Sequence, residues 1–228
     1  MSKLTIGEMR EQVPEGKKQV FQRSIDDAGE ERFFQVWQNW DYRPGRIDWL
    51  NQRSAGDKPW MGTRETARTP LSTLATPDVR FKGPVRDVVD FYSAGSQVFF
   101  VSDRLFRLIE ETDPGSLEHI GFELRAKDGA VPFQAVMPLR IVEAIDTQRT
   151  TAVVEDQDLA GWWFRTVRFP DGIVFDNDAL AGVHSFSDLD APGWYWSKDL
   201  IELAEQHGIR GLFAKSVATA QGPEVARL

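Results

Sequence analysis

The chain lacks cysteine, a signal-peptide core and any long apolar run. The absence of cysteine excludes disulfides, thiolate metal ligands and a cysteine nucleophile. Residues 1–8 lack the apolar core of a signal peptide, and no apolar run approaches the roughly 20 residues that a transmembrane helix needs. We therefore expect a cytoplasmic protein that does not enter a membrane.

The sequence also lacks the common motifs of cofactor binding and catalysis. It contains no glycine-rich phosphate loop, no dinucleotide fingerprint, no HExxH and no Gly-x-Ser-x-Gly. The three histidines, His119, His184 and His207, do not have the spacing of a metal site. His184 has Asp178 and Asp188 nearby in sequence, which makes a general base conceivable, although a solvated loop histidine is commoner. We predict no catalytic residue, no cofactor and no metal.

Acidic residues are in excess, and the excess is confined to the C-terminal part of the chain. The net charge of the 228 residues is −8. Residues 1–100 contain 15 Lys and Arg and 14 Asp and Glu, whereas the other 128 contain 12 and 21. Such a field repels phosphate backbones and anionic lipids and attracts basic proteins. Direct nucleic-acid binding is therefore disfavoured, while acidic loops that only confer solubility remain the simpler alternative.

One pattern occurs twice and predicts the scaffold. Residues 98–111 and 193–205 each begin with an aromatic or aliphatic run, stop at a serine and continue with apolar residues at helical spacing. The serines, Ser102 and Ser197, are placed to cap the helix that follows. Because another apolar run follows each helix, we predict two strand–Ser-capped helix–strand units.

The remaining patterns mix strands and helices without regular alternation. They predict strands at 32–40 and 137–146, a helix at 85–92, a hairpin of 162–169 with 173–175, and a short helix at 177–181 capped by Asp176. The fold class predicted is α+β, with a mostly antiparallel sheet and a few short helices packed on it.

Composition also suggests how the chain is divided. Residues 1–30 are polar and are predicted to form an N-terminal arm, residues 31–218 one domain, and residues 219–228 a C-terminal tail. Four tryptophans fall among turn-forming residues between 37 and 60: Trp37, Trp40, Trp49 and Trp60. They are either anchors that pin an irregular segment to the core or exposed anchors for a partner. Residues 64–82 lack a clear period and are predicted to form a surface connection.

Five stretches, in this order and spacing, resemble an immunity-protein family of bacterial polymorphic toxin systems, family eleven in the usual naming. They are RFFQV at 32–36, VSDRLFRLI at 101–109, RIVEAID at 140–146, WFR at 163–165 with FPDGIVF at 169–175, and the ending 197–213 with GIRGLF. The resemblance covers about residues 31–218 and is loose in the tryptophan-rich segment. It implies a cytoplasmic protein that binds and neutralises a toxin, and it supplies no catalytic residues.

On this basis we expect stoichiometric occlusion of a cognate toxin, whose basic active-site cleft an acidic face would fit. The candidate contacts are Glu155, Asp156, Asp158, Trp162, Asp176, Asp178, His184, Asp188 and Asp190. Two alternatives remain open, namely a ligand-binding or assembly module without a toxin and an enzyme that reverses toxin damage. The identity of the toxin and the oligomeric state do not follow from the sequence.

Overall fold

A computed structural model describes residues 4–22, 30–39, 41, 47–51, 70–73, 75–95, 98–159, 162–219 and 222–228. The chain divides into two compact units, each assembled from three separate segments. The first unit combines Met1–Phe33, Glu143–Ala181 and Ser216–Pro223, and the second combines Phe34–Val142, Gly182–Lys215 and Glu224–Leu228.

The described residues form three α-helices and fifteen strands. The helices are α1 (Ile6–Gln12), α2 (Asp103–Thr112) and α3 (Lys198–Gln206). The strands are β1 (Lys18–Phe21), β2 (Phe33–Gln38), β3 (Ile47–Trp49), β4 (Val79–Phe81), β5 (Phe91–Gly95), β6 (Val98–Ser102), β7 (Leu117–Arg125), β8 (Ala130–Pro138), β9 (Ile141–Val142), β10 (Ala152–Leu159), β11 (Trp162–Arg168), β12 (Ser185–Asp188), β13 (Tyr195–Ser197), β14 (Leu212–Lys215) and β15 (Glu224–Arg227). The segments predicted as an arm and a tail thus contribute α1, β1 and β15.

The first unit is a three-stranded antiparallel sheet, in the order β1-β10-β11, with α1 in its apolar cluster. Helix α1 begins with a capping box, because Thr5 Oγ1 accepts from Glu8 N while the Glu8 carboxylate accepts from Thr5 N. Its apolar residues Ile6 and Met9 belong to one buried cluster with Val154 of β10. The N-terminal helix therefore has a core to pack on.

The second unit contains two six-stranded sheets, in the orders β15-β14-β2-β13-β12-β9 and β3-β4-β7-β8-β6-β5. Most recorded pairings are antiparallel, but β4 with β7 and β9 with β12 are parallel. The fold is therefore α+β, as the sequence predicts, with mixed sheets instead of purely antiparallel ones.

Helices α2 and α3 lie in the shared core of the second unit. Ser102 Oγ accepts from Leu105 N at the start of α2, and Ser197 Oγ accepts from Leu200 N at the start of α3. One buried cluster contains the apolar faces of both helices and aromatic residues of the sheets, namely Leu105, Leu108, Ile109, Leu200, Ile201, Ala204, Phe91, Phe99, Trp194 and Trp196. Burial of this common stripe holds the two helices together.

The helix predicted at 85–92 is wrong. Only Val85–Asp87 forms a short 3-10 helix, and Val88 is already extended, with φ −67° and ψ 133°. Strand β5 then begins at Phe91 and pairs with β6. The helical spacing of the apolar residues is overridden because Phe91 and Tyr92 are buried on opposite sides of a sheet, in two different clusters.

The hairpin predicted for 162–169 with 173–175 is also wrong. β11 pairs instead with β10, in a register that runs from Val153↔Arg168 to Leu159↔Trp162. Gly172 has φ +96°, and an added Cβ would lie 2.5 Å from the backbone of Ala218. Ile173 N donates to Val217 O at 2.5 Å, so this turn directs the chain to another segment and away from β11.

Two further predictions are changed in extent. The strand predicted at 137–146 is interrupted, because β8 ends at Pro138 and β9 contains only two residues. Trp40, Trp60 and residues 64–69 and 74 lie outside the described residues. The remainder of the segment predicted as a surface connection at 64–82 contains β4, in which Val79 and Phe81 are buried.

Candidate functional site

The acidic candidates Glu155, Asp156 and Asp158 lie on β10 in the first unit. Basic side chains of the neighbouring strands form ion pairs with Glu155 and Asp156. Asp156 Oδ1 accepts from Arg165 Nε at 2.8 Å, and Asp156 Oδ2 accepts from Gly16 N at 2.6 Å. The Arg165 hydrogen bond, followed by that of Gly16, lowers the pKa of Asp156. Glu155 forms ion pairs with Lys18, at 3.6 Å, and with Arg168.

These ion pairs depend on the register of strands β1, β10 and β11, so they could not be predicted from the sequence. Glu155 lies opposite Lys18 on one neighbouring strand, and Asp156 lies opposite Arg165 on the other. Both carboxylates are thus largely engaged within the sheet. Asp158 and Trp162 lie at the far end of the same hairpin, and their side chains are outside what the structure describes.

The other acidic candidates of the first unit lie in a turn. Asp176 Oδ1 accepts from the backbone N of Asp178 at 3.1 Å and of Ala179 at 3.3 Å. Residues 177–182 form turns and not the predicted helix. Asp176 therefore stabilises the turn, while Asp178 is exposed.

Asp188 and Asp190 belong to the second unit. Asp188 is only 1% exposed, and its Oδ1 accepts from the backbone N of Asp190 at 2.8 Å and of Ala191 at 3.1 Å. Burial, with the Asp188 charge as the second cause, raises the pKa of the Tyr195 hydroxyl, which donates to Ala191 O at 2.9 Å. Asp188 therefore closes a turn and is not placed to meet a partner, whereas Asp190 is half-buried.

His184 lies beside a buried carboxylate, but this carboxylate is Asp113 and not the aspartates nearby in sequence. Asp113 Oδ2 accepts from the backbone N of His184 and of Ser185, both at 2.8 Å, and Arg140 Nη1 lies 2.6 Å from the same oxygen. The His184 ring contacts Ser197 instead, with Nδ1 2.9 Å from Oγ. Asp113 therefore orders the backbone, and it does not orient the imidazole as a catalytic triad requires.

The nine predicted contacts thus divide between the two units, with Glu155 to Asp178 in the first and His184 to Asp190 in the second. Among the described residues, no group of three or more His, Asp or Glu is arranged to hold a metal ion. None of the helices in the described ranges is long and apolar enough to cross a membrane.

A groove of ≈ 720 Å³ lies beside α2 in the second unit, and no pattern in the sequence predicts it. Its apolar lining includes Val88, Val89, Leu108 and Phe133. Its cationic lining consists of Arg104, Arg107, Arg210 and, when protonated, His207. We call it the α2 groove. Its lining comes from four segments that are distant in sequence, namely 85–90, 102–111, 131–133 and 207–210. Because the segments are distant, no local sequence motif predicts the groove.

A buried carboxylate, Asp90, lies in the lining of the α2 groove. Asp90 accepts hydrogen bonds from Ser102 Oγ at 2.6 Å, from the Arg104 guanidinium and from Arg210 N at 2.9 Å. Arg104 Nη2 also donates to Gly208 O at 3.0 Å. The start of α2 and the segment after α3 are thereby held against each other, so the groove is formed in advance of any ligand.

The two described tryptophans of the N-terminal half, Trp37 and Trp49, differ in their surroundings. Trp49 packs edge-on against Phe100, with ring centroids 5.2 Å apart, and donates from Nε1 to Asn51 Oδ1, so it is an anchor to the core. Trp37 is 43% exposed on β2, beside Phe213 of β14. Trp37 is the kind of side chain that partners use as an anchor.

Comparison with known proteins relates the chain to a family. The model of a family described as Immunity protein family (Imm11) matches residues 19–219. No curated protein matches the chain. The match begins earlier than residue 31, where the resemblance read from the motifs starts, and it includes segments of both units.

Proposed function

The chain belongs to the immunity protein family (Imm11), and from this premise we propose that it binds a cognate bacterial toxin one to one and thereby blocks it. The observation that carries the proposal is the length of the match, which runs from residue 19 to residue 219. A match of this extent concerns the whole architecture and not one short motif.

The structure supports a binding role through a preformed surface. An inhibitor that occludes its target gains affinity when its contact surface is ordered before association. The α2 groove meets this condition, because Asp90 and Arg104 hold its edge in place. Of the acidic candidates, Asp178 is exposed in the first unit, and Asp190 is half-buried in the second unit. Glu155 and Asp156 contribute less negative electrostatic potential to the surface, because Arg168 and Arg165 form ion pairs with them.

An enzyme that reverses toxin damage is the alternative with a structural feature of its own. Ser197 Oγ lies next to His184 Nδ1, which is how a nucleophile and its base are arranged. However, Ser197 is only 6% exposed, and its Oγ also accepts from Leu200 N at the start of α3. The contacts fit a helix cap better than a nucleophile, and we therefore assign the pair to the scaffold.

We further propose that the protein acts in the cytoplasm, and that a toxin-free ligand-binding or assembly role is the remaining alternative. Gene neighbourhood separates these two roles, because only the immunity role predicts a reading frame with a toxin domain directly beside the gene. A toxin domain found there is the probe for the binding and protection experiments.

The test is protection of growing cells. A strain expresses the neighbouring toxin domain from one inducible promoter and this chain from another. We expect growth to recover when the chain is present, and a complex of both proteins to elute together on size exclusion. Continued growth arrest with the chain fully soluble and abundant would contradict the proposal.

A further inference from the structure

We draw no further inference here: the strongest candidate, the surface patch around the exposed Trp37 on β2 and the neighbouring Phe213 on β14, is an apolar sheet face, and nothing in the described part of the chain shows what covers it.

Discussion

Asp90 and Arg104 are joined by two hydrogen bonds, from Arg104 Nε to Asp90 Oδ1 at 2.6 Å and from Arg104 Nη2 to Asp90 Oδ2 at 2.5 Å. The same carboxylate accepts from Ser102 Oγ and from Arg210 N. One buried carboxylate thus joins the start of α2 to the segment after α3. These segments also line the α2 groove, so the residue that stabilises this part of the fold also belongs to the groove.

Asp90→Asn should lower the free energy of unfolding by about 1–3 kcal/mol, because it removes the charge from a carboxylate that is only 6% exposed and leaves its donors weakly satisfied, although Arg104 itself is 53% exposed. Urea unfolding followed by tryptophan fluorescence measures this, since Trp194 and Trp196 lie in the core next to α2.

Asp103→Asn is the matched control, because its ion pair with Arg107 is exposed and spaced i,i+4 on the same helix. It should cost less than about 1 kcal/mol. Equal losses from both substitutions would contradict the role assigned to Asp90.

The two glycines after α3 should respond differently to substitution. Gly211 has φ +100°, and an added Cβ would lie 2.6 Å from Val89 Cγ2. Gly208 has φ +62° with no atom within 4 Å of an added Cβ. Gly208→Ala should cost about 1 kcal/mol for the left-handed backbone alone. Gly211→Ala should cost roughly 2 kcal/mol more because the core must also shift.

Thermal unfolding of both glycine variants checks this expectation. If Gly208→Ala proves as destabilising as Gly211→Ala, crowding by Val89 is not the cause of the difference expected here.

Asp156 should make the first unit sensitive to acid. Its pKa lies below the ordinary 3.8 because Arg165 and Gly16 donate to the charged form. A carboxyl group with a lowered folded-state pKa contributes stability above its unfolded-state pKa, and this stability is lost as the pH falls towards the folded-state value. Asp156→Asn should therefore flatten the decline in melting temperature between about pH 5 and pH 3.

Circular dichroism melts over this pH range provide the measurement. Arg165→Gln should flatten the profile in the same way, and the double variant should add little to either single change. If the melting temperature of Asp156→Asn falls with pH in parallel with that of the wild type, the pair of Asp156 and Arg165 does not determine the loss of stability in acid.

Ser197 should behave as a helix cap. Ser197→Ala should cost about 1 kcal/mol of stability, because Leu200 N loses its acceptor. The exposed Glu202→Ala on the same helix should change stability by less than about 0.5 kcal/mol. Toxin protection should survive both changes when the proteins remain folded. Complete loss of protection in a folded Ser197→Ala variant would favour the enzyme alternative.

The sequence predicts local structure well where the signal is local. Each serine cap lies directly before its helix. In α2 the apolar residues at i, i+3 and i+4, namely Leu105, Leu108 and Ile109, are all buried, whereas in α3 the predicted Leu203 is only partly buried and Ile201 is buried instead. The segment 85–92 shows the limit. Its helical spacing is genuine, but pairing of β5 with β6 and the bonds of Asp90 determine the backbone there.

The candidate site was harder to predict because it depends on contacts between distant segments. Glu155 and Asp156 have no base nearby in sequence, yet the hairpin register places Arg168 and Arg165 beside them. A net charge counted along the sequence therefore overstates the negative electrostatic potential of this segment. The α2 groove likewise joins Arg107 to Arg210, which are about a hundred residues apart in the sequence.

We infer that the protein works by binding and blocking a toxin, and not by catalysing a reaction. The most direct test of this inference is a titration of a fixed amount of the purified toxin domain with the purified chain, in which residual toxin activity is measured against the molar ratio. We expect residual toxin activity to fall linearly with the molar ratio and to reach its minimum near one equivalent of the chain. Full protection at a small fraction of one equivalent, with the toxin itself still active once separated, would contradict it.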